Sequence, residues 1–354
     1  MGRSRLSPTP IFIVLCLSGI VVALACQVPV FRYALERWAP AEYLVSVTPS
    51  GGGLTDSEKK LVEALRAAPG DAVNPANIEV QVEAPGSSSP AQLALHYPNK
   101  LRDAAGKPIW QVPLNDENVR RLVDSPARQE LRQRLLAGES AIWVLVESGD
   151  RAKDDAAFAA LAQSLEEAAG SLKLPDGVVT QAAVKSGTRV NEQADVLRTD
   201  LPLKISFSTL RVRRDDPAEV VLLAMLTHME PDLGGLAGEP MAFPVFGRGR
   251  TLEPLVGAGI HKGNVIEHST YLCGACSCEV KDQNPGIDLL VAANWSPVDT
   301  TPQLEIIRIA PTAETPPARR TPTIPIAIVV ALIALAFVAM RRRSRIRHSD
   351  FRPR

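Results

Sequence analysis

The chain has 354 residues, 45% of them hydrophobic and 22% charged, with 39 basic side chains against 39 acidic ones. That balance excludes a disordered polyelectrolyte or a collagen, and the length suffices for one large domain or two of ordinary size with their own cores. Disulfides are not needed to fold such a chain.

In chain order, a basic start with Arg3 and Arg5 (residues 1–10) precedes the uncharged run Ile11 to Ala25, the layout of a signal peptide or signal anchor over residues 11–31. Ala23-Leu24-Ala25-Cys26 fits a small-residue cleavage site. It also resembles a bacterial lipobox, with Ala23 where that pattern prefers Leu, Val or Ile, which makes Cys26 a candidate for lipidation. Left uncut, the apolar character continues through Val28, Val30 and Phe31 and gives about 20 residues, enough to cross a bilayer.

Two α/β subdomains are expected next, over 32–140 and 141–310. Tyr43 to Val47 reads as a strand, and Thr55 to Glu58 as a capping box that opens a helix through Ala67. Ile78 to Val82 alternates as a half-buried strand, and Leu93 to His96 follows as a third. Ser125-Pro126 starts a helix that stops at Gly138, and the apolar run Ala141 to Val146 predicts a strand buried on both faces. A helix is predicted from Asp155 to Ala169, a strand through Leu203, Ile205 and Phe207, and a helix from Asp216-Pro217 to about Met229. Val178 to Thr199 has weak periodicity and reads as a loop or junction. Alternating strands and helices predict an α/β fold with mixed sheets.

The order of elements, above all Tyr43 to Val82, resembles the opening βαβ of a thioredoxin-like domain, and Ala141 to Val245 reads as a second such half. In that family the redox CxxC lies between the first strand and the first helix. Here Thr48-Pro49-Ser50-Gly51-Gly52-Gly53-Leu54-Thr55 stands there instead, so the resemblance implies a redox-inactive scaffold. The chain also looks like uncharacterised membrane-anchored bacterial proteins.

The most specific motif is the CxxCxC cluster of Cys273, Cys276 and Cys278. Four readings stand: a structural disulfide with one spare thiol, which needs no cofactor; a zinc or copper site with His268 or His261 as fourth ligand; thiol–disulfide exchange; and a disulfide to a partner. Cys273-Gly274-Ala275-Cys276 resembles the thioredoxin active site, but Glu279 to Ala292 reads as a hairpin and not as the helix that would lower the first thiol's pKa. A c-type haem site would need His where Ser277 stands. Phe243 to Thr251 reads as a strand end feeding a helix near Thr251, with Gly247 and Gly249 admitting a ligand and Arg248 and Arg250 clamping an anion, or as a turn whose arginines pair locally. Glu147, Asp150, Asp154 and Asp155 crowd a strand end and helix start, to favour the helix dipole or to hold a cation.

Residues 311–323 are Pro/Thr-rich and read as a stalk, and Ile324 to Met340 is a second apolar run of 17 residues, short for a span. Seven arginines in 341–354 place that tail in the cytoplasm by the positive-inside rule, as Arg3 and Arg5 do for the other end. Without the tails, acidic side chains outnumber basic ones by about eight, which argues against nucleic acid as a partner. No Ser/His/Asp order, HExxH or GxSxG pattern is present. The expectation is an inner-membrane protein with both termini cytoplasmic and a large extracytoplasmic domain, a binding or assembly component of an envelope complex that contacts membrane and envelope proteins. The alternative is a thiol-redox or metal-binding protein.

Overall fold

The computed structural model describes residues 27–98, 106–188, 196–277 and 279–299, all within one compact unit. The strands are β1 (Tyr43–Thr48), β2 (Ile78–Val82), β3 (Gln92–His96), β4 (Trp110–Pro113), β5 (Ala141–Val146), β6 (Phe207–Val212), β7 (Met241–Phe246), β8 (Arg250–Thr251), β9 (Leu255–Val256) and β10 (Ile287–Asp288). The helices used below are α1 (Val30–Arg37), α2 (Asp56–Ala67), α3 (Asp116–Val123), α4 (Pro126–Leu136), α5 (Arg151–Ser171), α6 (Gln181–Lys185), α7 (Val220–Thr227) and α8 (Lys262–Cys273).

The architecture is mixed α/β with two mixed sheets. In the first, ordered β2-β1-β3-β4, β1 and β2 run parallel while β3 is antiparallel to β1 and to β4. In the second, ordered β10-β8-β7-β5-β6, β5 and β6 run parallel, β7 is antiparallel to β5, and β8 is antiparallel to β7. The path β6-β5-β7-β8 therefore repeats the order and sense of β2-β1-β3-β4. Each parallel pair has a helix in its crossover, α2 in one and α5 in the other, as parallel neighbours require.

Local chemistry explains most boundaries. Thr55 and Glu58 form the reciprocal capping box that starts α2. Asp150 caps α5 by accepting from Ala152 N and Lys153 N, so this helix begins four residues earlier than its alanine periodicity suggests. Ser125 precedes Pro126 as expected, but its hydroxyl donates to Glu219 Oε2 and Glu219 Oε1 accepts from Ala127 N, so a distant carboxylate caps α4.

The core is continuous across both sheets. Tyr43, Val45 and Val47 of β1 join Ile142, Val144 and Val146 of β5 in one apolar cluster with α2, α3, α4 and α7. The alternate β5 residues Ala141, Trp143 and Leu145 face a second cluster with α1, α5 and α8. All six β5 residues are buried, as its unbroken apolar run predicts.

Several expectations are corrected. Val28, Val30 and Phe31 are buried in the second cluster, on α1 and the segment before it, so they belong to the folded domain and not to a membrane span ending at residue 31. The strand expected at Leu203 to Phe207 begins only at Phe207; Leu203 and Ile205 pack on the core from an extended approach. The segment from Val178 carries the short helix α6, with Val179 bridging Val196. No helix starts at Thr251: Gly247, Arg248 and Gly249 turn β7 directly into β8, and the next α-helix is α8. Residues after Glu279 make a 3₁₀ turn and then β10, which pairs with β8, so no local hairpin forms. No helix among the described residues is long and apolar enough to cross a membrane, and the runs Ile11 to Ala25 and Ile324 to Met340 lie outside the described residues.

Helix α1 is held by a buried ion pair. Arg32 Nε donates to Glu36 Oε1 at 2.8 Å with both side chains fully buried, and Glu36 also accepts from Arg198 N and from Thr199 N and Oγ1. Arg32 donates further to Thr199 Oγ1 and Leu201 O. Removing one partner of such a pair strands the other charge in a medium that solvates it poorly. Glu36→Ala is expected to lower the unfolding free energy by about 3–5 kcal/mol, read as a shifted urea midpoint of the full-length chain in detergent.

Candidate functional site

A cleft of about 660 Å³ opens where the C-terminal end of α1 and the start of β1 meet the β8–β10 edge of the second sheet. Its inner wall carries Trp38, Arg250, Asn284 and Asp288, all buried, and Glu42, Glu79 and Asp282 are exposed at its rim. Asp288 organises the inner wall. Its carboxylate accepts from Ala41 N at 2.8 Å, pairs with Arg250 Nη1 at 3.2 Å and takes the Lys281 ammonium, which also donates to Ala39 O. Arg250 is spent further on the carbonyls of Pro285 and Asn284 and lies 5.8 Å from the Trp38 ring centroid. A wall charge held by several fixed donors presents a preorganised surface, since little rearrangement is needed to keep it in place.

The two arginines of the GRGR segment are thus together near α1 but face different tasks. Arg248 donates from Nε to Leu35 O at 2.7 Å and from Nη2 to Glu36 O at 3.1 Å, which satisfies the carbonyls at the end of α1. Gly247 serves the same close approach: it has φ +61°, and a Cβ there would lie 2.7 Å from Ala34 Cβ. What this turn admits is the chain's own helix. Only Arg250 reaches the cleft wall.

The cysteine motif straddles the end of α8. Cys273 is its last residue, Cys276 follows in an extended segment, and both are buried and not disulfide-bonded to each other. Cys278 and Cys26 lie outside the described residues. Burial pushes the Cys273 thiol up to about 12, and its position at the negative end of a helix gives no help to a thiolate. His268 Nδ1 donates to Asn264 O, 3.0 Å away, while its Nε2 is buried with no hydrogen-bond partner and lies 3.8 Å from Glu253 Oε1. Its ring centroid is 6.0 Å from that of Trp143. His261 caps α8, with Nδ1 accepting from Gly263 N. Among the described residues no three His, Cys, Asp or Glu side chains are grouped to hold a metal ion.

The acids after β5 divide by partner. Asp150 caps α5, and Asp154 accepts from Ser148 N and Oγ and from Gly149 N, so the chain's own carboxylate fills the nest of amides at the strand end where an α/β sheet would take an anion. Glu147 and Asp155 pair with Arg211. A pair absent from the sequence reading is Ser46 and His96, whose Oγ and Nε2 lie 3.0 Å apart while Nδ1 lies 3.0 Å from Gly106 O. They are 50 residues apart in sequence and come together only through the β1–β3 register. Both are buried. Asp288 was missed too, because its value comes from donors on α1's exit and the 281–285 turn.

Comparison of the chain with protein-family models, with curated proteins and with solved structures finds no match.

The thiol environment makes a kinetic prediction. With its pKa near 12, Cys273 presents only about one thiolate in 10⁴ at pH 8, against roughly one in ten or more for an ordinary cysteine. Native-state alkylation of Cys273 is expected to run about 10³-fold slower than in urea at pH 8. The same shift favours the fold below the unfolded thiol's pKa, and that contribution is lost at about 1.4 kcal/mol per pH unit as pH rises from about 9 towards 12, measurable as falling urea midpoints.

Proposed function

We propose that this chain is a membrane-held extracytoplasmic binding or assembly module, a component of an envelope complex, whose partner contacts the cleft around Trp38 and Asp288. The observation that carries the reading is the construction of that cleft: an inner wall fixed by Arg250, Lys281 and Asp288 and a rim of three exposed carboxylates, Glu42, Glu79 and Asp282. An acidic rim on a domain whose own balance is acidic selects a partner that brings basic side chains and speeds its encounter. An aromatic ring beside fixed charges is the type of surface on which a partner's side chain anchors.

The repeated strand order of the two sheets supports reading them as two thioredoxin-like halves used as scaffold. The loop from Thr48 to Thr55 carries no cysteine, and the thiol that heads the CxxC pair is buried at a helix C-terminus. These features favour binding over thiol exchange. The apolar runs at the two ends of the sequence support membrane attachment with the folded domain outside the cytoplasm.

A photoreactive amino acid placed at Glu79 or Asp282 of the full-length, membrane-embedded protein is expected to give a discrete crosslinked species, and one at Glu166 on α5 is expected to give none. Glu79→Lys with Asp282→Lys should cut the yield from a probe at Glu42 by about tenfold, the size of a loss near 1.4 kcal/mol. The same products from all positions, or none from the cleft, would sink the reading.

A further inference from the structure

At one edge of the second sheet the parallel strands β5 and β6 end side by side, at Val146 and Val212. From there their chains part. The β5 chain enters α5, whose Ala157, Leu161 and Leu165 pack in the cluster with Trp143, whereas the β6 chain leads to α7, whose Val221, Leu222 and Met225 pack in the cluster with Val144. The two connections thus leave to opposite faces of the sheet. Such a parting opens a crevice beyond the carboxyl ends of the strands, the place where open α/β sheets take their ligands. A cavity of about 430 Å³ lies there, between the loop from Glu147 to Asp154 and the run from Arg211 to Asp215. That volume suits a small molecule. Four arginines line it, Arg151, Arg211, Arg213 and Arg214, against the carboxylates of Glu147, Asp154 and Asp215.

These charges are not all spent internally. Arg211 bridges Glu147 and Asp155, and Asp154 is buried on the amides of Ser148 and Gly149. Arg213 pairs with Asp215 while both side chains stay well exposed, an ion pair that water screens and that a ligand exchanges at little cost. Arg151 is 95% exposed and reaches Asp155 only at 3.5 Å. Arg214 is half-buried and donates to two carbonyls, Glu147 O and Glu239 O, with no carboxylate partner among the described residues. Burial holds its guanidinium below the ordinary value, and the charge of Asp154 opposes that effect only in part. A cation drawn partly out of water without a paired counter-charge favours an anion beside it.

We propose that this crevice binds a phosphate group carried by a small molecule, gripped by Arg151, Arg213 and Arg214. Guanidinium forks that arrive from a helix start and from two positions of a strand exit match the several oxygens of a tetrahedral phosphate, where a planar carboxylate would use one fork. Asp154 already occupies the backbone amides, so the ligand meets side chains and not the helix end. The site is separate from the cleft at Trp38 and does not depend on where the protein resides.

The test titrates the full-length protein in detergent with inorganic pyrophosphate at low salt and follows the heat. The expected result is saturable binding that weakens as salt is raised. Arg214→Gln should weaken it about tenfold or more. Arg151→Gln combined with Arg213→Gln should do the same, and because both side chains are exposed this pair decides the matter if the Arg214 variant fails to fold. Arg120→Gln on α3, the same loss of charge at an exposed site elsewhere, should leave binding unchanged. Glycerol 3-phosphate in solution and phosphatidic acid doped into the micelles then separate the sources. Saturation by the former assigns a free phosphoester; a response to the doped micelles alone, lost in the crevice variants, assigns a lipid headgroup. No binding of any of these probes, equal binding by wild type and the crevice variants, or succinate binding as tightly as pyrophosphate would each overturn the proposal.

Discussion

The buried carboxylate of Glu36 is the constraint on which the second half of the fold depends. It neutralises Arg32 inside α1, accepts from the backbone of Arg198 and Thr199, and its own carbonyl takes Arg248 from the β7–β8 turn. Two segments far apart in sequence are thereby fixed to one helix. An ion pair desolvated this fully adds little net stability over an apolar replacement of similar shape, because the Coulomb gain is set against the cost of leaving water. Its structural effect is to allow one arrangement and make others expensive. Once α1 is seated, Gly247 can close on Ala34, β8 can pair with β7, and Arg250 can reach Asp288.

Which parts of this were legible in the sequence follows from the range of the forces involved. Strands β1, β2, β3 and β5 announce themselves through alternation or an unbroken apolar run, and α2 through a capping box contained within four residues. Those signals are local. Strand β10 is two residues long and exists only because it pairs with β8, Ile287 lying opposite Thr251, 36 positions earlier. No window of sequence holds that information. Helix α1 was hidden for a different reason: its apolar residues continue the run that precedes it, so composition alone assigns Val28, Val30 and Phe31 to a membrane, whereas the fold uses them to cover Trp143 and Leu145. Apolar character says that a residue leaves water but not what it enters.

The site residues divide in the same way. The glycines of the GRGR segment do permit a close approach and its arginines do clamp acceptors, as the residue types suggest, but the acceptors are the chain's own carbonyls at Leu35, Glu36, Asn284 and Pro285. An arginine seeks lone pairs and cannot distinguish a ligand's from those of a helix end. Asp154 shows the converse. A strand end followed by a helix start offers amides to an anion, and here the chain supplies the anion itself, one turn into the helix. Sequence reading identifies the chemical appetite of each segment; only the register decides whether that appetite is met internally.

In the cleft the acids sit at two depths. Asp288 is fully engaged, with Ala41 N, Arg250 and Lys281 around it, and so contributes shape and a fixed potential in preference to a charge that a partner must neutralise. Glu42, Glu79 and Asp282 are exposed, on β1's entry, on the edge strand β2 and in the turn before β10. They come from both sheets, so their spacing depends on the shared core that holds Val45 and Val144 in one cluster. A surface whose charges are spaced by a core is rigid on binding, which limits the ordering entropy a partner must overcome. The same core links the cleft to stability: Arg248 holds the end of α1 and Trp38 lines the cleft directly after it, so loosening α1 would release both.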